Sequence, residues 1–106
     1  MKTNEAVVAL SALAQESRLT VFRRLVELAP DGAFAGELAE FLEIPGNTMS
    51  FHLKALSQAG LISAESQGRH IRYRADVDRM QDLVGFLSDN CCGGQPCVPQ
   101  SRKKRA

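Results

Sequence analysis

Three cysteines stand close together towards the end of the chain, where residues 90–97 read NCCGGQPC. Thiolates are the ligands of soft, thiophilic ions, and three sulfurs without an evident fourth ligand suit a trigonal pyramidal site. Trivalent arsenic and antimony prefer this arrangement, because a lone pair occupies the apex. Glycine and proline in the spacer would let the chain fold back onto a single ion. The sequence therefore predicts a metalloid site formed by Cys91, Cys92 and Cys97.

Other uses of these thiols stay open at this point. Cadmium or lead would bind the same soft sulfurs, and a methylated arsenical would need only Cys91 and Cys92. The adjacent thiols could instead sense oxidants, or remain unliganded in a loose tail and form a disulfide on oxidation. Structural zinc is less suited, since it usually takes four Cys or His ligands and the two histidines, His52 and His70, lie in another region.

Thiol chemistry could also belong to an enzyme such as a small arsenate reductase. A reactive cysteine of that kind is normally supported by a helix N-terminus or an anion-binding loop. No cysteine of this sequence stands in such a context. We therefore predict that the protein is not an enzyme.

Basic residues form the second group with evident chemistry, although the whole chain carries a net charge of only +1. Residues 44–74 contain four Lys or Arg against Glu65 alone, which gives +3 with two histidines in addition. Residues 1–43 and 75–98 each sum to −3, and the run RKKR at 102–105 adds +4. Because such blocks act locally on a partner, the central basic block predicts contact with a polyanion such as DNA.

Length and composition set the frame for these groups. A chain of 106 residues with 44% hydrophobic and 24% charged residues has the profile of one globular domain, which excludes a disordered or fibrous chain. The longest apolar stretches, such as residues 6–10, are far too short to cross a bilayer, so no membrane association is predicted. The first residues lack the apolar core of a secretory signal, and we expect a cytoplasmic protein.

Apolar residues at helical spacing predict three helices in the first part of the chain. The first has its apolar face at positions 7, 10, 13 and 14, and the second, capped by Ser17, runs to the break PDG at 30–32. A third, short helix covers residues 36–42 and ends at the break IPG at 44–46.

A fourth helix follows directly, with Asn47 as its cap and Gly60 as its terminating residue. Two short helices joined by a few turn residues form a helix-turn-helix, whose second helix enters the DNA major groove. Met49, Leu53 and Leu56 would form its buried stripe. The candidates for DNA contact on this helix are Asn47, Thr48, Ser50, Phe51, His52 and Lys54. A solvated polar helix face is the alternative interpretation.

Two alternating segments, 61–65 and 70–74, flank the turn QGR at 67–69 and predict a β-hairpin, the wing of a winged helix. Alternation places His70, Arg72 and Arg74 on one face, beside the phosphate backbone, with Arg69 in the turn. A charged, solubilising edge strand is the alternative. Asp76 would cap a last helix that runs through residue 88, followed by an irregular tail from residue 90 onwards.

The first and last helices carry apolar faces that a monomer of this size would struggle to cover. We predict that these faces form a homodimer interface, with burial inside the monomer as the alternative. The residues concerned are Val7, Leu10, Val77, Met80, Val84 and Leu87.

The stretch 49–62, MSFHLKALSQAGLI, resembles the recognition-helix signature of the ArsR/SmtB family of metal-responsive repressors. Leu38 and Ala39 precede it at the family's position. The resemblance covers roughly residues 5–88. It implies a mainly α winged helix-turn-helix with a small two-stranded β wing, and a homodimer that binds near-palindromic operator DNA without a cofactor.

Cysteine positions distinguish the types of sensor within this family. Where some members carry Cys-x-Cys in the first helix of the helix-turn-helix, this chain has ELAE at 37–40. Zinc sensors place Asp and His on the last helix, which has no His here. The C-terminal cysteines resemble those of arsenic-responsive repressors whose site follows the last helix. We therefore expect a DNA-binding and dimerisation domain at 1–89 and a metalloid-binding segment with a basic tail at 90–106. Trivalent arsenic or antimony would act as the inducer that releases the operator.

Overall fold

The computed structural model describes residues 1–96, so Cys97 and the basic run at 102–105 lie outside the described residues. Within residues 1–96 the chain forms five α-helices and three β-strands. Their bounds are α1 Thr3–Leu13, α2 Glu16–Glu27, β1 Ala33–Phe34, α3 Ala35–Leu42, α4 Gly46–Gln58, β2 Ile62–Gln67, β3 His70–Ala75 and α5 Val77–Ser88. A short 3-10 helix, Cys91–Gly94, follows α5. The mainly α winged helix-turn-helix is confirmed.

Helix starts differ from the predicted caps at two places. The side chain of Gln15 accepts the backbone N–H of Arg18 at 2.9 Å and begins α2, so the prediction of Ser17 as the cap is wrong. α4 begins after Pro45, and Asn47 lies inside its first turn. Asp76 caps α5 as predicted, because its carboxylate accepts the backbone N–H of Arg79 at 3.0 Å.

The helix-turn-helix consists of α3, a three-residue turn and α4. Glu43 adopts the left-handed conformation, φ 56° and ψ 47°, that commonly terminates a helix. The N–H of Ile44 then donates to the carbonyl of Ala39 at 2.9 Å, which closes the end of α3. The turn therefore redirects the chain sharply, and α4 starts at once on the other side of Pro45.

The sheet contains one strand more than the predicted hairpin. β2 and β3 pair antiparallel with Gln67 opposite His70, which leaves a two-residue turn at Gly68 and Arg69. β1 pairs with the other edge of β3, with Phe34 opposite Arg72, so the order is β1-β3-β2. The prediction of a two-stranded wing missed β1, because two residues are too short to show an alternating pattern.

The core lies where the helices meet the base of the sheet. Its largest fully buried side chains are Val21, Leu25, Leu38, Met49, Leu53, Leu56 and Leu61. The predicted stripe of α4 is confirmed. The inward face of α1 consists of Ala6, Ala9 and Ala12, whereas Val7 and Leu10 are exposed. Small alanines let α1 approach the core closely, and this leaves the larger residues of α1 outside.

Gly32 marks a close approach between the α2–β1 connection and β3. Its φ is +77°, and a Cβ built there would lie 2.0 Å from the carbonyl oxygen of Tyr73. Neither the backbone conformation nor the space tolerates a side chain at this position. Gly60, which ends α4 as predicted, has the same φ of +77° but only Arg79 Nε within reach, at 3.8 Å.

No helix in residues 1–96 is both long and apolar enough to cross a membrane.

Candidate nucleic-acid interface

The outward face of α4 is the centre of the candidate interface. Asn47, Phe51, Lys54 and Gln58 follow one another at steps of four, three and four residues, on the side opposite the buried stripe, and all four are exposed. The ring of Phe51 is 75% exposed. Sequence reasoning missed Gln58, although its spacing from Lys54 places it on this face.

Two polar side chains of the first turn of α4 bond locally. The amide oxygen of Asn47 accepts the backbone N–H of Thr48 at 2.9 Å. The hydroxyl of Ser50 donates to the carbonyl of Gly46 at 3.1 Å. All these residues are exposed, so each retains polar groups that can meet a base edge or a phosphate.

His52 does not lie on the outward face of α4, and the prediction for this residue is wrong. Its side chain is 8% exposed, and Nδ1 has no hydrogen-bond partner among the described residues. Burial, with a smaller contribution from the charge of Arg18, lowers the pKa of His52. The signal was present in the sequence, because position 52 stands three residues after Met49 and four before Leu56. It therefore belongs to the buried stripe.

The lowered pKa of His52 has a consequence for stability. The unfolded chain takes up a proton at this histidine as the pH falls through about 6.5, while the native imidazole, whose pKa is lowered by burial, takes up its proton only at a lower pH. Because the unfolded state then binds more protons, the free energy of unfolding falls below that pH, at up to about 1.4 kcal/mol per pH unit. Denaturant unfolding between pH 7.5 and 5.5 should show this loss.

One variant isolates the contribution of His52 to that loss. His52→Gln should flatten the pH dependence, because it removes the buried imidazole. The carboxylates whose pKa values are lowered, Glu5 and Glu65, titrate below 4.5 and therefore outside this window. Equal slopes for the wild type and His52→Gln would contradict the assignment.

The guanidinium groups of the wing arginines Arg72 and Arg74 form hydrogen bonds to other residues of the same chain. Arg72 donates from Nε to the amide oxygen of Gln67 at 3.2 Å and from Nη1 to the carbonyl of Asp31 at 3.3 Å. Its guanidinium also lies over the ring of Phe34, 4.3 Å from the centroid. Both arginines share the predicted face with His70, whose ring lies 5.6 Å from that of Phe34.

Arg74 completes this connection between the wing and the preceding segment. It donates from Nε to the carbonyl of Pro30 at 3.2 Å and forms an ion pair with Glu65, which lowers the pKa of that carboxyl. The Nε and Nη1 atoms of both Arg72 and Arg74 therefore bond within the chain, and the expectation that they face phosphates does not hold for these four atoms. Arg69 and His70, the other predicted wing residues, are exposed at and beside the turn.

The predicted interface residues give α1 and α5 each a row of apolar side chains, although Met80 also packs against the core. Val84 and Leu87 are 58% and 60% exposed, and Val7 and Leu10 are also exposed, so burial inside the monomer does not account for them. Val77 and Met80 are half-buried on the same side of α5. Positions 7, 10 and 14, and 77, 80, 84 and 87, repeat at steps of three and four. This spacing is typical of the narrow seam through which two helices pack.

Cys91 and Cys92 follow α5 after only two residues. Their sulfur atoms are 3.7 Å apart, and both side chains are exposed. Asn90 and Cys92 adopt left-handed conformations, which turn the chain sharply at the end of the helix. Residues 1–96 contain no cluster of three metal-ligating side chains, and the predicted third ligand, Cys97, lies outside them.

Comparison with known proteins agrees with this arrangement. A helix-turn-helix domain family matches residues 13–63. The HTH-type transcriptional regulator CmtR of Mycobacterium tuberculosis is 32% identical over 97 residues, which cover 85% of this chain and 82% of CmtR. The structure of an ArsR-like transcriptional regulator from Rhodococcus is similar, with a TM-score of 0.69, 30% identity and coverage of 80% and 77%. The chain belongs to the ArsR/SmtB family of transcriptional regulators.

Other relatives extend the comparison. The HTH-type regulator YdfF of Bacillus subtilis is 43% identical over 80 residues. The match covers 73% of this chain but only 34% of YdfF, so the chain spans about a third of the length of that relative. A homodimeric winged helix-turn-helix DNA-binding domain from Mycobacterium bovis has a TM-score of 0.64 and 26% identity, with coverage of 90% and 88%. The relatives are transcriptional regulators, so this ArsR/SmtB protein is a DNA-binding regulator and not an enzyme.

Proposed function

We propose that this protein is a metalloid-responsive repressor, which binds operator DNA as a homodimer in the cytoplasm and releases it when trivalent arsenic or antimony binds Cys91, Cys92 and Cys97. The observation that carries the proposal is the position of two adjacent thiols immediately after α5. Membership of a family of DNA-binding regulators supports the second part of the proposal, the binding of operator DNA. The bound ion then only has to lower the affinity of the protein for that DNA.

The geometry of the described thiols suits a shared ion. Bonds from thiolates to a thiophilic metal are about 2.3 Å long, and zinc is the reference case. Sulfurs 3.7 Å apart can both bond to one ion at such a distance, because they are closer than twice the bond length. A third sulfur from Cys97 would complete the trigonal pyramid that a lone-pair ion prefers. Both thiols are exposed, so an ion can reach them from solvent.

Homodimer formation rests on the exposed faces of α1 and α5. Val84, Leu87, Val7 and Leu10 place apolar surface in solvent that a second copy would cover. The homodimeric domain from Mycobacterium bovis supports the same assembly here. Two copies would present two α4 helices to successive half-sites of a near-palindromic operator.

Coupling between the two sites would run through α5. An ion that ties residues 91, 92 and 97 together changes the chain directly after an interface helix, and a small tilt there would alter the spacing of the two α4 helices. A coupling free energy of about 1.5–3 kcal/mol would lower operator affinity about 10- to 150-fold. A protein that represses by covering the promoter acts only while it is bound. A loss of operator affinity of about 10- to 150-fold would therefore release the promoter.

The test is a titration of the DNA complex with candidate inducers. Fluorescence anisotropy of a labelled promoter duplex should fall with arsenite and antimonite, at fixed protein concentration. Cys97→Ser should bind DNA with unchanged affinity and respond weakly to arsenite, because only two sulfurs remain. Methylarsenite needs only two thiols, so it should still release the Cys97→Ser variant from the promoter duplex. This titration is the matched control, because it shows that the pair Cys91 and Cys92 remains intact.

Other outcomes of this titration would replace the proposal. Release of the operator from Cys97→Ser at wild-type arsenite concentrations would contradict a three-thiol site. Release by peroxide alone would make the protein a redox-responsive repressor, and preferential release by cadmium or lead would make it a sensor of soft divalent metals. The closeness of the two sulfurs at Cys91 and Cys92 is the observation that keeps these two candidates in the test.

A further inference from the structure

Phe51 is an aromatic residue in an unusual place. Among the large apolar side chains that the structure describes, it has the highest exposed fraction, 75%, although it lies in the middle of a well-packed helix. Two other phenylalanines with exposed surface are covered by guanidinium groups, Phe41 by Arg24 at 3.9 Å and Phe34 by Arg72 at 4.3 Å. No such cover lies over Phe51 within residues 1–96.

The surroundings of Phe51 argue for a nucleic acid rather than for a protein partner. Its exposed neighbours on the outward face of α4 are polar or charged, namely Asn47, Ser50, Lys54 and Gln58. Protein-docking surfaces are typically contiguous apolar patches, and the exposed apolar side chains of this chain that recur along a helix lie on α1 and α5 instead. The ring of Phe51 is a single apolar group among hydrogen-bonding side chains. A complementary partner would present hydrogen-bonding groups around one isolated apolar group.

The major groove of DNA is such a surface. Base edges there present hydrogen-bond donors and acceptors, and the only apolar group is the 5-methyl of thymine. Phenylalanine, alanine and the threonine methyl are the side chains that contact it. Asn47 and Lys54, one turn before and one turn after Phe51, carry groups suited to adenine and to guanine or phosphate respectively.

We propose that Phe51 is a specificity-determining residue of the operator complex, which packs its ring against the 5-methyl group of one thymine in each half-site. The inference rests on the proposed function, because it requires α4 in the major groove. It adds a sequence preference for a T·A pair that is read through an apolar contact. A homodimer would show this preference twice, at symmetric positions.

Uracil substitution tests the contact directly, because it removes the 5-methyl group and leaves base pairing unchanged. Binding sites are first selected by the full-length protein from a pool of randomised 30-bp duplexes. Each thymine of a selected site is then replaced by uracil, one position at a time, and affinity is measured by anisotropy. One position per half-site should lower wild-type affinity about four-fold, and both together about 15-fold, as expected for loss of a buried methyl group.

Variants assign the effect to Phe51. Phe51→Ser, which replaces the ring by a polar group, should bind thymine and uracil duplexes equally at that position, and Phe51→Leu, which keeps an apolar contact, should retain part of the discrimination. Lys54→Ala is the matched control on the same face and should weaken binding while keeping the discrimination. Because these side chains are exposed, the variants should keep the circular dichroism spectrum of the wild type.

The outcomes separate this inference from the proposed function. Wild-type indifference to uracil at every position, or unchanged discrimination by Phe51→Ser, would overturn the thymine contact while DNA binding stands. Selected half-sites without a shared thymine would overturn it as well. If no duplex were enriched from the pool, the proposed function would fail and the inference with it.

Discussion

Replacing Val84 and Leu87 together by glutamate should give a folded monomer that binds operator DNA at least 100-fold more weakly than the wild type. Both side chains lie in the exposed apolar seam of α5. In a dimer the substitution would place four carboxylates in an interface that excludes water, and unpaired buried charge is strongly destabilising. A monomer engages one half-site only and loses the avidity of paired binding, commonly a factor of 10² to 10⁴.

Sedimentation velocity and anisotropy on the same samples check this expectation. Ile71→Glu is the matched control, because Ile71 is also an exposed apolar residue, 43% exposed, but lies on β3 and outside the seam. It should sediment as a dimer, which shows that an added carboxylate by itself does not separate the protomers. A double variant that still sedimented as a dimer at micromolar concentration would move the interface away from α5.

The second large effect concerns Gly32. Gly32→Ala should lower the free energy of unfolding by more than about 3 kcal/mol, because the added Cβ meets a carbonyl oxygen at 2.0 Å while φ is +77°. The contacting atom belongs to the backbone of Tyr73 in the central strand, so neither side can yield without breaking the pairing of β1 with β3. Urea unfolding monitored by circular dichroism would measure the loss.

Gly60→Ala separates the two causes of that loss. This residue has the same φ of +77°, but the space around its Cβ position is open except for Arg79 Nε at 3.8 Å, an ordinary contact distance. The variant should lose only about 1–2 kcal/mol, the ordinary cost of a left-handed conformation for a residue with a Cβ. Equal losses for the two variants would show that the close approach to Tyr73 does not contribute.

The parts of the fold that repeat over several turns could be predicted from the sequence. The stripe of α4 shows three buried positions at helical spacing, and the alternation of the wing covers ten residues, so both were identified with their correct faces. β1 has only two residues, which is too short for any period to appear. The inward face of α1 was missed because alanines gave a weaker hydrophobic signal than Val7 and Leu10.

The candidate site could be predicted in composition but not in every orientation. The residue type of His52 suits phosphate contact and predicts the outward face of α4, although its spacing places it in the core. The arginines of β3 were placed on the right face, but their partners Asp31 and Pro30 precede them by some forty residues. Contacts over such a separation depend on the packed fold and leave no local pattern in the sequence.

The bonds of Arg72 and Arg74 have a mechanical consequence. They fix the wing to the segment that contains Pro30, Asp31 and Phe34, and Phe34 is the residue from which α3 starts. The backbone N–H of Phe34 in turn donates to the carboxylate of Glu37 in the first turn of α3, at 2.9 Å. The wing and the helix-turn-helix are thereby joined as one stiff body. Under the proposed function, a displacement at the C-terminal end of α5 would therefore move the helix-turn-helix and the wing together, away from the DNA major groove. The wing would not move independently of α4.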